Sequence, residues 1–348
     1  MSLLNKILNR GEFKKPLKFK EFEIKIYTKK DFNHLLALYE RVFPGYMSKS
    51  LWNWKNINNP FGNHITIIIK HKKKVIASHS CAPQVFLINE KKYNCIQSMD
   101  VMTDKDYRGL GLSTYLGNIT YEYAKAKGKA FVYGFPSDIS KYLCGVKLKW
   151  DKVIKTSYFI KELNQKQNSL KHYNTFKIEK VEKVDGRINE LWKSYNKKGI
   201  IIINKTRKYL NWRFKEHPII NYEIFYVKNK NNKIIAYFVL KRYKDKQDNK
   251  IGHIVDFLIK ADNNISKLKI FKLIDVFATN KFYRKCKFLS FWIHDSLLHK
   301  YAKKQLGYKI IKKEPYFGYR IFNNNKQNLK LLNSMKNWYI TMSNNDVF

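Results

Sequence analysis

The sequence predicts an α/β protein, of the α+β kind, built from two tandem and similar domains. Its 348 residues are the length of about two domains. Runs with strand periodicity alternate with amphipathic helical runs, and landmarks of the first half recur in the same order in the second. The predicted parts are an N-terminal extension at 1–20, a first domain at 21–160, a linker at 161–175 and a second domain at 176–348.

Local patterns predict the elements of the first half. Residues 1–20 contain a short amphipathic stretch that either touches a membrane surface or ends the chain as a frayed or docked helix. Phe22–Tyr27 alternates like a strand, and Asp31 is expected to cap a helix that ends at Pro44. The later predicted strands are Ile65–Lys70, Val75–His79, Phe86–Ile88, Ile96–Thr103, Ala130–Phe135 and Lys152–Ile160.

The second half repeats landmarks of the first. The pattern N-W-K-(x)4-P at Asn53–Pro60 recurs as N-W-R-(x)4-P at Asn211–Pro218, and Asp100 matches Asp256. Landmarks that keep their order and a nearly constant offset predict a duplication. The segment that follows Asp256 has neither Arg-x-x-Gly nor any glycine, so the second copy is predicted to be degenerate.

Charge and cysteine content limit the partners. The net charge of +42 has three alternative explanations. It reflects a lysine-rich composition with no partner, it attracts a small anionic partner such as CoA, a nucleotide sugar or a lipid phosphate, or it attracts nucleic acid. The lysines are spread along the chain, which weakens the nucleic-acid reading. The cysteines form no zinc signature and no disulfide framework, so we expect no metal and a cytoplasmic location. The apolar runs are too short to span a bilayer.

A glycine turn joins the predicted strand Ile96–Thr103 to a helical run. It reads Arg108-Gly109-Leu110-Gly111-Leu112-Ser113. The first amides of a helix have no internal partner, and the helix dipole adds partial positive charge there. Glycines let an anion approach the backbone, and the arginine adds a full charge. The turn is therefore a candidate phosphate site, the alternative being a corner whose glycines only satisfy backbone geometry. Its spacing fits neither a nucleotide P-loop nor a dinucleotide fingerprint.

The turn resembles the pyrophosphate loop of the GNAT superfamily of acyl-CoA N-acyltransferases. That loop usually reads Gln/Arg-x-x-Gly-x-Gly/Ala, and here it reads Arg108-x-x-Gly111-x-Ser113. The stretch 130–150, a strand followed by a short helix and K-L-K-W, is similar to the family's next strand and its Leu-Gly-Phe motif, with Lys149 in place of the glycine. The resemblance implies, in each domain, a mixed and mostly antiparallel central sheet flanked by helices.

The resemblance also implies where an acyl-CoA donor would lie. The donor, by default acetyl-CoA, is expected between diverging strands at 97–103 and 130–135, where unpaired backbone groups meet pantetheine amides. An amide near Val101 or Met102 would polarise the thioester carbonyl. The predicted donor-binding residues are Val101, Met102, Thr103, Arg108, Gly109, Leu110, Gly111, Leu112, Ser113 and Thr114.

Three residues are candidates for proton transfer, each with a simpler structural alternative. Tyr142 lies near the place where the family often carries its general acid, and its alternative is surface packing. Asp100 lies on the central strand beside the expected thioester, yet Asp256 repeats it in the degenerate half, which favours a structural role. His79 titrates in a useful range, although a lone histidine is more often a satisfied polar residue.

Taken together, these features predict an enzyme, a GNAT-type N-acetyltransferase that moves an acetyl group from acetyl-CoA to a primary amine. The acceptor is expected to be a small molecule or a cell-surface precursor, an amino sugar among the candidates. One alternative is a Fem-type transferase, which uses aminoacyl-tRNA and would suit the positive charge. The other is a non-catalytic basic protein that binds nucleic acid or a membrane surface. The sequence does not indicate an oligomeric state.

Overall fold

The structure is a computed structural model, and its chain divides into two compact units. It describes residues 2–9, 20–166, 175–245, 248–322 and 330–347. The first unit comprises Met1–Phe86, Lys92–Lys155 and Glu314–Asn328, and the second comprises Leu87–Lys91, Thr156–Lys313 and Leu329–Phe348. The predicted extension 1–20 and linker 161–175 lie partly outside the described residues, so the predicted domain limits stay a prediction.

Helices and strands alternate through both units. The strands are β1 Glu23–Ile26, β2 Ile65–His71, β3 Lys74–Ile88, β4 Lys91–Thr103, β5 Phe131–Gly134, β6 Lys152–Glu162, β7 Lys177–Val181, β8 Ile201–Ile203, β9 Glu223–Lys228, β10 Ile234–Lys244, β11 Lys250–Ile259, β12 Phe288–Trp292, β13 Lys309–Ile321 and β14 Trp338–Tyr339. The helices are α1 Leu3–Leu8, α2 Phe32–Val42, α3 Lys49–Trp52, α4 Leu112–Ala126, α5 Arg187–Ser194, α6 Arg207–Leu210, α7 Asn264–Phe282 and α8 Ser296–Gln305.

The sheet of the first unit has the order β1-β2-β3-β4-β5, followed by the Gly318–Ile321 part of β13. β1 and β2 are antiparallel, as are β2 and β3, whereas β4 and β5 are parallel. β13 pairs antiparallel with β5. The predicted α/β class, with a mixed sheet and flanking helices, is therefore confirmed.

The core of the first unit lies between its sheet and α4. Leu112, Leu116 and Ile119 of α4 pack with Ile67 and Ile76 of the sheet. The helix α1 joins the same cluster through two buried apolar side chains, so it docks on the unit. Throughout the described ranges no helix combines the length and apolar composition that crossing a membrane requires.

Two local details differ from the sequence prediction. The structure has one unbroken strand, β3, where the sequence predicted separate strands at Val75–His79 and Phe86–Ile88; Cys81 and Ala82 between them are buried. Asp31 does not cap α2 but forms a capping box with Thr28 around the preceding 3-10 turn. Its carboxylate accepts hydrogen bonds from the Thr28 amide and hydroxyl. These bonds hold the side chain at the 3-10 turn, before the start of α2.

The second unit contains a similar sheet, in the order β6-β12-β11-β10-β9-β7. β11 and β12 are parallel, while β10 is antiparallel to both β9 and β11, and β7 to β9. The 158–162 part of β6 pairs antiparallel with β12. β14 adds to β8 as a parallel partner.

A short helical motif occurs once in each unit at the repeated Asn-Trp pattern. In the first, Ser48 caps α3, which continues as a π-helical turn over Asn53–Ile57. In the second, Thr206 caps α6, which continues as a π-helical turn over Asn211–Lys215. The shared element order agrees with the predicted duplication, which itself stays a prediction.

Candidate active site

The predicted phosphate turn lies on the surface between β4 and α4. Gly109 and Gly111 have φ angles of +79° and +81°, a conformation that side chains with a Cβ rarely adopt. Arg108 and both glycines are exposed. Within the described part of the chain, no side chain caps the start of α4. The first backbone amides of a helix have no acceptor within the helix, so those of α4 are available to an external anion.

A buried carboxylate with two cationic partners anchors this turn to the first unit. Asp104, which is fully buried, receives Arg41 at 2.7 Å and Lys74 at 2.9 Å. Burial by itself would raise the pKa of Asp104, yet the hydrogen bonds from these two cations hold that pKa below its usual value. The Asp104 amide donates to the Ile76 carbonyl at 2.8 Å, so the loop entrance is tied to β3.

The pairing of the two strands that should hold the donor ends before β4 reaches the turn. Their parallel register ends where Ser98 faces Gly134, after which β4 runs on to Thr103 while β5 stops. The strands are so close at this point that a Cβ on Gly134 would lie 2.9 Å from the Ser98 carbonyl oxygen. Val101, Met102 and Thr103, predicted to meet pantetheine, lie on the part of β4 beyond this pairing.

Asp100 interrupts the regular backbone of β4. Its φ is +51°, which is uncommon for a residue other than glycine. Its carboxylate receives the Lys55 ammonium from the π-helical turn, with nitrogen–oxygen distances of 3.0 and 2.9 Å. The two side chains are 6% and 4% exposed, so the ion pair is almost fully buried.

His79 lies in the core beneath the end of the β4–β5 pairing. Its Nε2 is 2.8 Å from the Ser98 hydroxyl, which also accepts a bond from Tyr121. Trp150 donates to the Tyr121 hydroxyl at 3.2 Å, so four side chains form one chain of polar contacts. Burial lowers the pKa of His79 to about 3, so its ring is neutral at neutral pH. The imidazole has no exposed surface.

Tyr142, the predicted general acid, is on the surface. It directly precedes the π-helical turn Leu143–Lys147, and its side chain is 58% exposed. The Lys147 ammonium lies over its ring, 5.6 Å from the ring centre. Ile139 and Val146, at helical spacing from Tyr142, are also exposed, so this segment presents an apolar stripe.

At the corresponding place between β11 and α7, the described part of the second unit has no comparable turn. The segment Ala261–Asn263 has no glycine, and Asn263 caps α7 by accepting a bond from the Ser266 amide at 2.8 Å. The N-terminus of α7 thus satisfies one of its own amides with a side chain. A carboxylate, Asp262, precedes the helix in place of a guanidinium.

The C-terminal segment covers the central strand of the second unit. The Tyr339 hydroxyl donates to the Phe257 carbonyl at 2.6 Å, and the Thr341 hydroxyl donates to Asp256 at 2.8 Å. Arg213 donates to two backbone carbonyls further along this segment. The backbone of β11 beside Asp256 therefore meets the chain's own C-terminal residues.

Sequence reasoning missed the role of Lys55, which it noted only as part of a repeated motif. The repeat gave no reliable signal, because Arg213, at the matching position, does not pair with Asp256. Instead Lys205 binds Asp256 at 2.7 Å, with both side chains fully buried. The arrangement of a lysine on a central-strand aspartate is common to both units, although the lysines occupy different places in the sequence.

Comparison with known families identifies the class of protein that this site and fold define. Residues 23–143 match the family described as Acetyltransferase (GNAT) domain. This match bears out the predicted GNAT resemblance and acyltransferase class for this part of the chain. A comparison with curated proteins finds no match.

Solved structures share the fold over most of the chain. A probable N-acyltransferase from Enterococcus faecalis V583 has a TM-score of 0.64 at 12% identity, covering 87% of this chain and 72% of that one. A GCN5-related N-acetyltransferase from Anabaena variabilis has a TM-score of 0.61 at 13% identity, covering 87% and 73%. Saccharomyces cerevisiae N-myristoyltransferase with bound myristoyl-CoA has a TM-score of 0.58 at 13% identity, covering 89% and 80%.

Proposed function

We propose that the chain is an N-acetyltransferase that moves an acetyl group from acetyl-CoA to a primary amine. The observation that carries the proposal is the exposed glycine turn at the start of α4, where no side chain caps the helix, following a strand that extends beyond its pairing with β5. Exposed amides, a helix dipole and the Arg108 guanidinium together suit a pyrophosphate. The exposed apolar stripe of Ile139, Tyr142 and Val146 suits the less polar part of the same ligand.

The reaction needs few groups once the two substrates are in place. A backbone amide at Val101 or Met102 would donate to the thioester oxygen and stabilise the negative charge that develops there. The neutral amine attacks the carbonyl carbon, a carbon–nitrogen bond forms and the carbon–sulfur bond breaks. The nitrogen then loses a proton, and the departing thiolate gains one.

The proton donor is assigned by position. Tyr142 is the proposed donor to the thiolate, because it is exposed on the segment that follows β5. The other two candidates, Asp100 and His79, are not assigned as the base. The Asp100 carboxylate is bound to the Lys55 ammonium, and the imidazole of His79 is buried beside the Ser98 hydroxyl.

The acceptor is proposed as a small amine or a cell-surface precursor, with amino sugars first. The net charge of +42 favours acceptors that carry phosphate, such as a nucleotide-linked amino sugar. The likeness in fold to an enzyme with bound myristoyl-CoA makes a longer acyl chain the variant of this proposal most worth testing.

Calorimetric titration with CoA tests the donor site. We expect one CoA per chain, bound by the first unit. Gly111→Asp places a Cβ and a carboxylate where the phosphates would lie, and the loss of charge-assisted hydrogen bonds should weaken binding by about a hundredfold. Asp262→Lys, at the corresponding place in the second unit, is the matched control and should leave affinity unchanged.

A thiol-release assay with acetyl-, octanoyl- and myristoyl-CoA against a panel of amino sugars and other amines then tests transfer. The proposal is rejected if the wild-type protein does not bind CoA. It is also rejected if a folded Gly111→Asp variant binds CoA with the affinity of the wild type. Binding of aminoacyl-tRNA without binding of CoA would favour the Fem-type alternative. A salt-dependent shift on RNA or anionic vesicles, with no transfer, would favour the non-catalytic alternative.

A further inference from the structure

The most unusual backbone in the first unit lies beside its most buried ion pair. Asp100 is held at a φ of +51° in the middle of β4, between the end of the β4–β5 pairing and the phosphate turn. A non-glycine residue in this conformation costs about 1–2 kcal/mol, so surrounding contacts must maintain it. The Lys55 ammonium is such a contact, at 2.9 Å from the carboxylate.

Lys55 itself is fixed from several sides. It lies in the π-helical turn Asn53–Ile57, whose defining bond joins the Asn58 amide to the Asn53 carbonyl at 2.8 Å. Its ammonium also reaches the Tyr46 hydroxyl at 3.4 Å. π-Helical turns are often found at functional sites because they displace one side chain from the regular helical position. Here the π-helical turn places the Lys55 ammonium against Asp100 on β4.

The surroundings of Asp100 oppose a change in its charge state. Burial, and after it the negative charge of Asp100, raises the pKa of the Cys81 thiol on β3. The carboxylate oxygens are bound by a buried ammonium, which stabilises the ionised form. An acid group held in this way is a poor acceptor for a proton from an incoming amine.

The second unit also has a lysine–aspartate ion pair on its central strand. Asp256 lies next to a register shift between β10 and β11, where β11 contains one extra residue, Val255. The Lys205 ammonium forms an ion pair with Asp256, and both side chains are fully buried. An ion pair therefore accompanies an irregularity of the central strand in both units, which argues that the pair maintains backbone geometry.

We infer that Lys55 is a positioning residue for acyl transfer: through Asp100 it fixes the irregular turn of β4 and thereby aims the following amide at the thioester carbonyl. The inference rests on the proposed acyl transfer, since the thioester position comes from that proposal. It makes Asp100 part of the scaffold of the site. The backbone amide that follows becomes the group that acts on the thioester.

Substitutions at position 100 separate positioning from base catalysis. Asn is nearly isosteric with Asp, adopts positive φ readily and accepts a bond from Lys55, but it cannot take up a proton. Val is β-branched and disfavours positive φ. We expect Asp100→Asn to keep kcat within about threefold, with an unchanged acidic limb of the pH profile, and Asp100→Val to lower kcat by roughly 10- to 100-fold.

Lys55→Met tests the cation directly. It should lower kcat by roughly 10- to 100-fold, with CoA affinity changed less than about threefold, and Lys55→Arg should recover part of the loss. Lys205→Met in the second unit is the matched control: it breaks an equally buried pair, and we expect kcat to be unchanged at a temperature where each variant is folded. An equal loss of kcat in Lys205→Met would overturn the inference.

A spectroscopic readout is independent of the acceptor. The infrared band of the ¹³C-labelled thioester carbonyl in bound acetyl-CoA should shift to lower frequency in the wild type and in Asp100→Asn. It should return towards its solution value in Lys55→Met and Asp100→Val. A wild type that binds acetyl-CoA and shifts the band but transfers to no amine supports the inference and rejects the proposed function.

Two further outcomes would overturn the inference. A loss of more than about a hundredfold in Asp100→Asn, with a vanished acidic limb, would make Asp100 the base. Full kcat together with a thioester band that keeps its wild-type shift in Asp100→Val and Lys55→Met would make the pair purely structural. If Lys55→Met does not fold, the two substitutions at Asp100 still decide between these cases.

Discussion

The hydroxyl oxygens of Thr103 and Ser113 lie 2.9 Å apart and join the last residue of β4 to the first turn of α4. The family pattern has glycine or alanine where Ser113 stands. The serine therefore adds a contact that bridges the phosphate turn. This link keeps the strand end and the helix start together while Arg108, Gly109 and Gly111 stay exposed between them.

Ser113→Ala should separate the bridging role of the hydroxyl from anion binding. The lost bond is partly buried, so we expect the free energy of unfolding to fall by about 0.5–1.5 kcal/mol in a urea titration. The CoA dissociation constant should change less than about threefold, because backbone amides and not this hydroxyl are proposed to meet the phosphates. A tenfold or larger loss of affinity in calorimetry would instead show that the Ser113 hydroxyl itself binds the ligand.

Tyr142→Phe tests the proposed proton donor. The tyrosine is 58% exposed, and removal of its hydroxyl should not disturb the core. If the hydroxyl protonates the thiolate, kcat should fall by roughly tenfold or more while CoA affinity stays unchanged. Tyr243→Phe removes a similarly exposed hydroxyl, 47% exposed in the second unit, and is the control. Equal kcat values for both variants and the wild type would remove Tyr142 from the mechanism.

The conformation of the glycine turn was predictable because glycine leaves a local signature. Gly109 and Gly111 both adopt positive φ, and the arginine and helix start lie within the same short segment. Every property that matters there comes from neighbours in the sequence. The same holds for the strand that precedes the turn and for the apolar face of α4.

The pairing of Lys55 with Asp100 was not predictable from the sequence. The two residues are 45 positions apart, and no local rule marks an aspartate for positive φ. The π-helical turn that presents Lys55 differs from an α-helix by one residue in its hydrogen bonding, which side-chain periodicity does not reveal. The anchoring of Asp104 by Arg41 and Lys74 was missed for the same reason.

The buried imidazole of His79 predicts how stability depends on pH. Burial lowers its pKa from 6.5 to about 3 in the folded state, where the ring contacts Ser98 and the edge of Tyr121. Between these two pH values the unfolded chain binds more protons, so acid favours unfolding. The stabilising contribution is complete above pH 6.5 and is lost as the pH falls towards 3. One such group changes the free energy of unfolding by at most about 1.4 kcal/mol per pH unit.

His79→Gln should therefore flatten the acid side of the stability curve. We expect the difference in unfolding free energy between wild type and variant to shrink by about 1 kcal/mol per pH unit below pH ~6, measured by urea unfolding. His64, which is partly buried and has its pKa lowered to about 4 by desolvation, leaves some slope in the variant. Ser98→Ala is the control, since it removes the hydrogen-bond partner but keeps the imidazole buried, and it should retain the wild-type slope. A His79→Gln curve parallel to that of the wild type from pH 7 to 4 would show that His79 does not control acid stability.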